Sequence, residues 1–238
     1  MFSRKKNLPK VSCIIAAGGS GSRMGADINK IFLDLDEMPV LAHTLLAFEN
    51  HPQVSEIILV SRECDIPGCK DIADEFKISK LHTIVKGGAT RQESVKNGLS
   101  EVSEDAQAVL IHDAARPLIS QSAISDVIDA VFAHGGAAVG SPCKCTIKET
   151  DENGFITRTV NREFLYEVQT PQGFTPDLLQ KMYENAELEQ ISATDDCYLA
   201  EQLGYKVKMI TGSSDNIKIT TYDDLLLAEQ ILDKRKGE

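Results

Sequence analysis

Short apolar runs of strand length alternate along this chain with longer stretches in which apolar residues recur at helical spacing. The runs fall at 11–16, 56–61, 82–85, 108–112, 137–140 and 206–210. Helical periodicity predicts helices over 40–50, 66–76, 90–100, 122–134, 176–187, 195–203 and 222–234. Such alternation predicts an α/β fold, a mostly parallel sheet with helices on both faces. In the first helix Leu41, Leu45, Leu46 and Phe48 make an apolar stripe, so it should dock on the sheet. Asp195 and Asp196 stand where a later helix begins, the end that its macrodipole makes favourable for negative charge.

One segment breaks the rhythm. Between Pro142 and Thr170, the alternating residues Thr146-Ile147-Lys148 and Phe155-Ile156-Thr157 flank Asp151-Glu152-Asn153-Gly154. That is hairpin chemistry, because Asn-Gly readily supplies the positive φ of a tight turn. A hairpin so polar cannot bury two faces of its own, so it is expected to project and pack on a second copy of the chain; on pattern alone a solvated excursion fits equally well. With 238 residues the chain reads as one domain, 1–238, with 142–170 as its arm.

Composition removes several classes of answer. Apolar residues at 42% and charged residues at 26% are ordinary for a folded domain, which excludes disorder, collagen and coiled coil. The formal net charge of -11 repels nucleic acid and anionic lipid, so neither is expected as a partner. A phosphorylated small molecule stays possible, since a local cluster of Arg and Lys can invert the field of the whole surface. Six cysteines at irregular spacing make no disulfide framework and no paired zinc motif, which fits a reducing cytoplasm. The basic start, MFSRKKNLPK, is followed by an apolar run too short for a signal peptide, and no run approaches the roughly 18 apolar residues of a membrane span, so a soluble protein is expected.

The chemistry begins after the first strand, at Ala16-Ala17-Gly18-Gly19-Ser20-Gly21-Ser22-Arg23-Met24-Gly25, followed by Asn29-Lys30. Glycines directly after a strand let successive backbone N–H groups converge on a phosphate chain. Two better-known fingerprints fail here. Counted from Gly19, the third glycine of a dinucleotide motif would fall on Met24, and no Gly-Lys-Ser/Thr follows for a P-loop. What remains is a backbone cradle with one guanidinium, Arg23, and one ammonium, Lys30. That pair suits a triphosphate whose charge rises as a bond between phosphates breaks.

This loop resembles the signature of sugar nucleotidyltransferases, and further blocks narrow the likeness. Gly87-Gly88-Ala89-Thr90-Arg91-Gln92-Glu93-Ser94-Val95, His112-Asp113-Ala114-Ala115-Arg116-Pro117, Thr170-Pro171-Gln172, Ala193-Thr194-Asp195-Asp196 and Asp215-Asn216-Ile217-Lys218-Ile219-Thr220 occur in that order. Together they are similar to the 2-C-methyl-D-erythritol 4-phosphate cytidylyltransferases. The resemblance implies a Rossmann-like domain, a homodimer formed through a protruding β-arm, and transfer of CMP from CTP to a polyol phosphate with Mg²⁺ as cofactor.

It also implies roles. Ala16, Ala17, Gly18 and Gly19 would wrap the phosphates; Arg23, Lys30 and Lys218 would carry the transfer; Gly88, Ala89 and Ser94 would read the cytosine and its sugar. Asp113, at the end of a predicted strand, would hold a ribose hydroxyl or reach Mg²⁺ through water. Arg116, Arg162, Thr170, Thr194 and Lys218 would surround the polyol phosphate, Arg162 coming from the partner subunit. Lys218 lies in a strand-like stretch, and Arg91 would steady a loop or meet phosphate. Read without the resemblance, Thr90 with Glu93 is a capping box, and Lys218 is a solvated lysine on an edge strand. Of five histidines only His112, beside Asp113, has a claim to the site. Two departures stand out. Asn29 replaces the proline that often precedes the lysine, which predicts a looser loop, and Cys143 and Cys145 are expected to be packing thiols. The rival activities are a ribitol-5-phosphate cytidylyltransferase, whose matching block tends to carry valine where Ala115 stands, and a nucleotide-binding dimer without turnover.

Overall fold

The computed structural model describes residues 9–19 and 29–237. Its eleven strands are β1 (Val11–Ala16), β2 (Asp34–Leu35), β3 (Met38–Pro39), β4 (Val54–Ser61), β5 (Leu81–Lys86), β6 (Ala108–Asp113), β7 (Gly136–Pro142), β8 (Ile147–Thr150), β9 (Ile156–Val160), β10 (Tyr166–Phe174) and β11 (Lys208–Thr211). The helices are α1 (Val40–Glu49), α2 (Ile66–Glu75), α3 (Arg91–Leu99), α4 (Gln121–His134), α5 (Pro176–Leu188), α6 (Asp196–Gln202) and α7 (Tyr222–Lys236). A seven-stranded sheet runs β11-β7-β10-β6-β1-β4-β5.

Strand alternation decides which helices cover which face. Val11, Cys13 and Ile15 of β1 point into one apolar cluster with Leu41, Leu45 and Phe48 of α1, Ile72 of α2 and Ile124, Val127 and Ile128 of α4. Ile14 of the same strand points into another, with Val95 of α3, Leu179 and Met182 of α5 and Leu199 of α6. β4 splits in the same way, Ile57 and Leu59 to the first cluster and Ile58 and Val60 to the second. A period of two in the strands thus produces the two-faced α/β layering. α7 packs separately, placing Leu225 and Ala228 against Leu35, Val40 and Leu118.

Sequence patterning misses the two-residue strands β2 and β3 and, in the main sheet, β10. It lies between β6 and β7 and pairs antiparallel with both. Its residues fall partly in 142–170, so that segment is not all arm; the projecting hairpin is β8 and β9 alone. The Pro171 and Gly173 within β10 argue against a central strand when met in a sequence. The ladder with β7 breaks its register between Val168 and Gln172, and this irregularity takes in Pro171. In the arm, Gly154 carries the positive φ of the turn, at 85°, and the Asp151 side chain accepts from the backbone N–H groups of Asn153 and Phe155. Cys145 is exposed and Cys143 half-buried, so the expectation of packing thiols fails; they sit where the chain leaves the core for the arm. No helix among the described residues is long and apolar enough to cross a membrane.

Gly98 sets how closely α3 can approach the sheet. A Cβ there would lie 2.8 Å from methyl carbons of both Ile14 and Val60. Gly98→Ala is therefore expected to lower stability by about 1–3 kcal/mol through overpacking, read as a reduced midpoint in urea unfolding; an unchanged midpoint would show that the helix can shift freely.

Candidate active site

Two adjoining cavities open at the carboxyl ends of the parallel strands, where ligands collect in open α/β sheets. The larger, about 420 Å³, is lined by Ala16, Ala17, Gly18, Gly19 and Lys30 on one side and by Gly88, Ala89, Arg91 and Ser94 on the other. The smaller, about 270 Å³, is lined by Arg116, Thr170 and Thr194, together with Gln169 and Gln172. Arg91, Asp113 and Lys218 line both.

Asp113, the last residue of β6, is 7% exposed and stands at that border. Lys218 Nζ lies 2.8 Å from its Oδ2, Arg91 Nε 3.4 Å from Oδ1 and Arg116 Nε 3.7 Å from Oδ2. Burial would raise the carboxyl's pKa, yet Lys218, Arg91 and Arg116 hold it far below the usual carboxylate range. Arg91 also donates to Asp196 at 2.7 Å, and Tyr183 donates its hydroxyl to the same carboxylate at 2.6 Å. With Asp196 balancing Arg91, the charges of Arg116, Lys218 and Lys30 still exceed those of Asp113 and Asp195, the carboxylates that line the two cavities among the described residues. An acidic chain therefore carries a positive pocket.

Beneath Asp113 the polar groups form one chain. His112 Nε2 faces the Arg116 carbonyl at 3.1 Å and must donate, so its Nδ1 accepts from the Thr170 hydroxyl at 3.1 Å. Thr170 Oγ1 in turn accepts from the Asp113 N–H at 3.0 Å. Burial lowers the His112 pKa to about 4, consistent with the neutral ring that this pattern requires. Phe48 packs on it, ring centroids 4.8 Å apart. His112 is buried and lines neither cavity; it lies beneath the site, in its floor.

The loop before α3 is built from side-chain bonds. Thr90 accepts from the Glu93 N–H as an N-cap, but the Glu93 carboxylate reaches the Ala89 N–H at 2.7 Å, one residue before the position a capping box requires. Ser94 Oγ accepts from the Gly88 N–H at 3.1 Å and donates to the Thr90 carbonyl at 2.8 Å. At Gly88 a Cβ would fall 2.3 Å from that of Glu93, so the turn excludes any side chain. Residues 217–220 are not a strand: the Ile219 N–H donates to the Ala115 carbonyl, and Arg116 holds the Asn216 carbonyl at 2.8 Å. Lys218 thus projects from an anchored, irregular stretch.

The model of the family described as 2-C-methyl-D-erythritol 4-phosphate cytidylyltransferase matches residues 11–234. The chain belongs to this family. A relative of that name from Clostridium botulinum (strain 657 / Type Ba4) is 45% identical over 227 residues, 95% of this chain and 99% of that protein. One from Alkaliphilus oremlandii (strain OhILAs) is 42% identical over 232 residues, covering 97% and 98%. The crystal structure of 4-diphosphocytidyl-2C-methyl-D-erythritol synthase from Anaerococcus prevotii DSM 20548 superposes with a TM-score of 0.86 at 31% identity, covering 95% of this chain and 97% of that one. The family is one of nucleotidyltransferases.

Of the residues this family resemblance singles out in the sequence, the structure brings all but two around the paired cavities. Arg23 lies outside the described residues. Arg162 sits on the arm side, donating to the Lys144 carbonyl. Sequence reasoning missed Asp196 as the partner of Arg91 and treated it only as helix-terminal charge. It also missed that Gln172 orders the loop carrying Thr194, by accepting from the N–H groups of Asp196 and Cys197. The quoted block Thr170-Pro171-Gln172 held that signal.

His112 also implies a pH dependence. Its folded pKa lies below its unfolded value near 6.5, so the stabilisation is present above about pH 6.5 and lost as the pH falls toward 4. Wild type should therefore lose up to about 3 kcal/mol more than His112→Asn across that window, measured by urea unfolding at each pH. Equal losses would mean that the ring is protonated in the fold.

Proposed function

We propose that this chain transfers CMP from CTP to 2-C-methyl-D-erythritol 4-phosphate, releasing pyrophosphate and forming 4-diphosphocytidyl-2-C-methyl-D-erythritol. The observation that carries this reading is the shared border of the two cavities at Arg91, Asp113 and Lys218. A nucleotide in the larger cavity and a phosphate monoester in the smaller would meet there. Backbone amides of Ala16 to Gly19 take the triphosphate, while Gly88, Ala89 and Ser94 read the cytosine, whose amino group and acceptor atoms short polar contacts can match. Lys218, Arg116, Thr170 and Thr194 hold the polyol phosphate, and Asp113 orients Lys218.

An oxygen of that phosphate attacks the α-phosphorus of CTP in line. The new P–O bond forms as the bond from the α-phosphorus to the bridging oxygen breaks, and pyrophosphate departs with that electron pair. Lys30 and Arg23 neutralise the charge that grows on the leaving group. No general base is needed, because a phosphate monoester with a second pKa near 6 is already largely a dianion at neutral pH.

Asp113 is the one carboxylate among the described residues lining the larger cavity, and three cations already face it. With Asp113 so engaged, the cavity offers no direct ligand set among its described residues, so a Mg²⁺ ion would be carried chiefly by triphosphate oxygens and waters, with Asp113 reaching it only through water. When bound, the ion would supply positive charge that offsets that of the phosphates. The arm exposes Phe155 and Ile156 on an otherwise polar hairpin, which supports a homodimer in which each arm packs on the other subunit and delivers Arg162 to its neighbour's site. Six free thiols suit a reducing cytoplasm, and the net charge of -11 disfavours nucleic acid as a partner.

Pyrophosphate release, measured with CTP and each polyol phosphate in turn, tests the reaction. Turnover should be clearly greater with 2-C-methyl-D-erythritol 4-phosphate than with ribitol 5-phosphate; the reverse order overturns the substrate, and CTP binding without any pyrophosphate overturns catalysis. Lys30→Ala and Arg23→Ala should each lower kcat on the order of a hundredfold or more with little change in melting temperature. Mixing Arg162→Ala with Lys30→Ala protein should restore activity through hybrid dimers, and failure to do so would place Arg162 outside the partner's site.

A further inference from the structure

Asn29 stands immediately before Lys30 and is only 2% exposed. Its Nδ2 donates to Asp65 Oδ2 at 2.8 Å and to the Ala17 carbonyl at 3.4 Å, and its Oδ1 accepts from the Ile31 N–H at 3.4 Å. Ala17 is itself held to β4, its N–H donating to the Val60 carbonyl at 2.7 Å. One side chain therefore ties together the two points where the glycine-rich loop leaves and rejoins the described fold. It also caps the single turn, Lys30–Phe32, on which the lysine is mounted. The looser loop anticipated from the missing proline falls on residues 20–28, outside the described residues; at Asn29 itself, hydrogen bonds supply a constraint of the kind a proline ring gives through φ.

The acceptor is held in turn. Arg62 grips Asp65 with two bonds, Nε to Oδ2 at 2.7 Å and Nη2 to Oδ1 at 3.0 Å, a bidentate geometry that fixes the carboxylate plane. Asp65 is 9% exposed and lies at the start of α2, outside the linings of both cavities. The pair neutralises itself without Asn29, so the amide contact is not needed to stabilise a buried charge. What it fixes is the backbone one residue from Lys30.

We propose that Asp65, held by Arg62 and acting through Asn29, is a positioning residue for the transfer step: it sets where Lys30 stands beside the triphosphate without touching either substrate. This rests on the role of Lys30 proposed above. Misplacement of a charge-neutralising group by about 1 Å can cost up to a hundredfold in rate, so a device of this kind falls within the range that turnover reads.

The test is a set of double-mutant cycles on the full-length chain, with kcat, both KM values and the melting temperature measured for each variant. Asn29→Ala and Asp65→Asn should each lower kcat on the order of tenfold or more, leave KM for the polyol phosphate unchanged and melt cooperatively near wild type. Added to Lys30→Ala, either change should alter the residual turnover by less than about twofold, because the group through which they act is gone. A merely structural role would instead multiply the two losses, and that result overturns the proposal. So does full kcat in Asn29→Ala, which leaves the Arg62–Asp65 pair intact and carries both comparisons should Asp65→Asn fail to fold. Wild-type turnover in Lys30→Ala is a separate result, which overturns the role of the lysine itself and the relay with it.

Discussion

A carboxylate buried at the end of a strand is costly unless cations face it, and the site is organised around that constraint. Asp113 is withdrawn from solvent at the tip of β6, and three cations brought from different parts of the chain converge on it. Arg91 comes from the start of α3, Arg116 from the turn after β6 and Lys218 from the stretch before α7. Two of them are in turn supported: Arg91 by Asp196 and Arg116 by the Asn216 carbonyl. The result is an ionised group with its counter-charges fixed at the one place where two cavities join. A reaction between two anions needs such a place, since both must lose water and approach without repelling each other.

The same economy appears in the polar floor. Arg116 carbonyl, His112, Thr170 and the Asp113 N–H form a run of hydrogen bonds in which each member has one defined direction. A histidine there serves better neutral than charged, because a protonated ring would lose its acceptor and face Lys218 and Arg116 across a dry interior. Burial and geometry agree on that state, and the chemistry leaves it undisturbed.

Much of this was legible in the sequence, for physical reasons that differ by element. β1, β4 and β6 are buried on both faces, so they read as apolar runs with few polar breaks, and the helices between them carry a clear period. β10 was hidden because Pro171 and Gly173 contradict a central strand wherever the local irregularity that tolerates them is not visible. The glycine-rich backbone around Gly18 and the cations at 30, 116 and 218, which line the two cavities, could be named from residue type and order. Long-range partners could not. Asp196 lies 105 residues from Arg91, and Asp65 lies 36 from Asn29; neither pairing leaves a mark in local pattern. Asn29 is the sharpest case, since nothing in the local sequence points to the bonds it makes to Asp65 and Ala17.

β10 has one further consequence. It enters the sheet straight from the arm and itself carries Gln169 and Thr170, which line the smaller cavity. The projecting hairpin and the wall of that cavity are consecutive links of one polypeptide, inserted like a rod between β6 and β7.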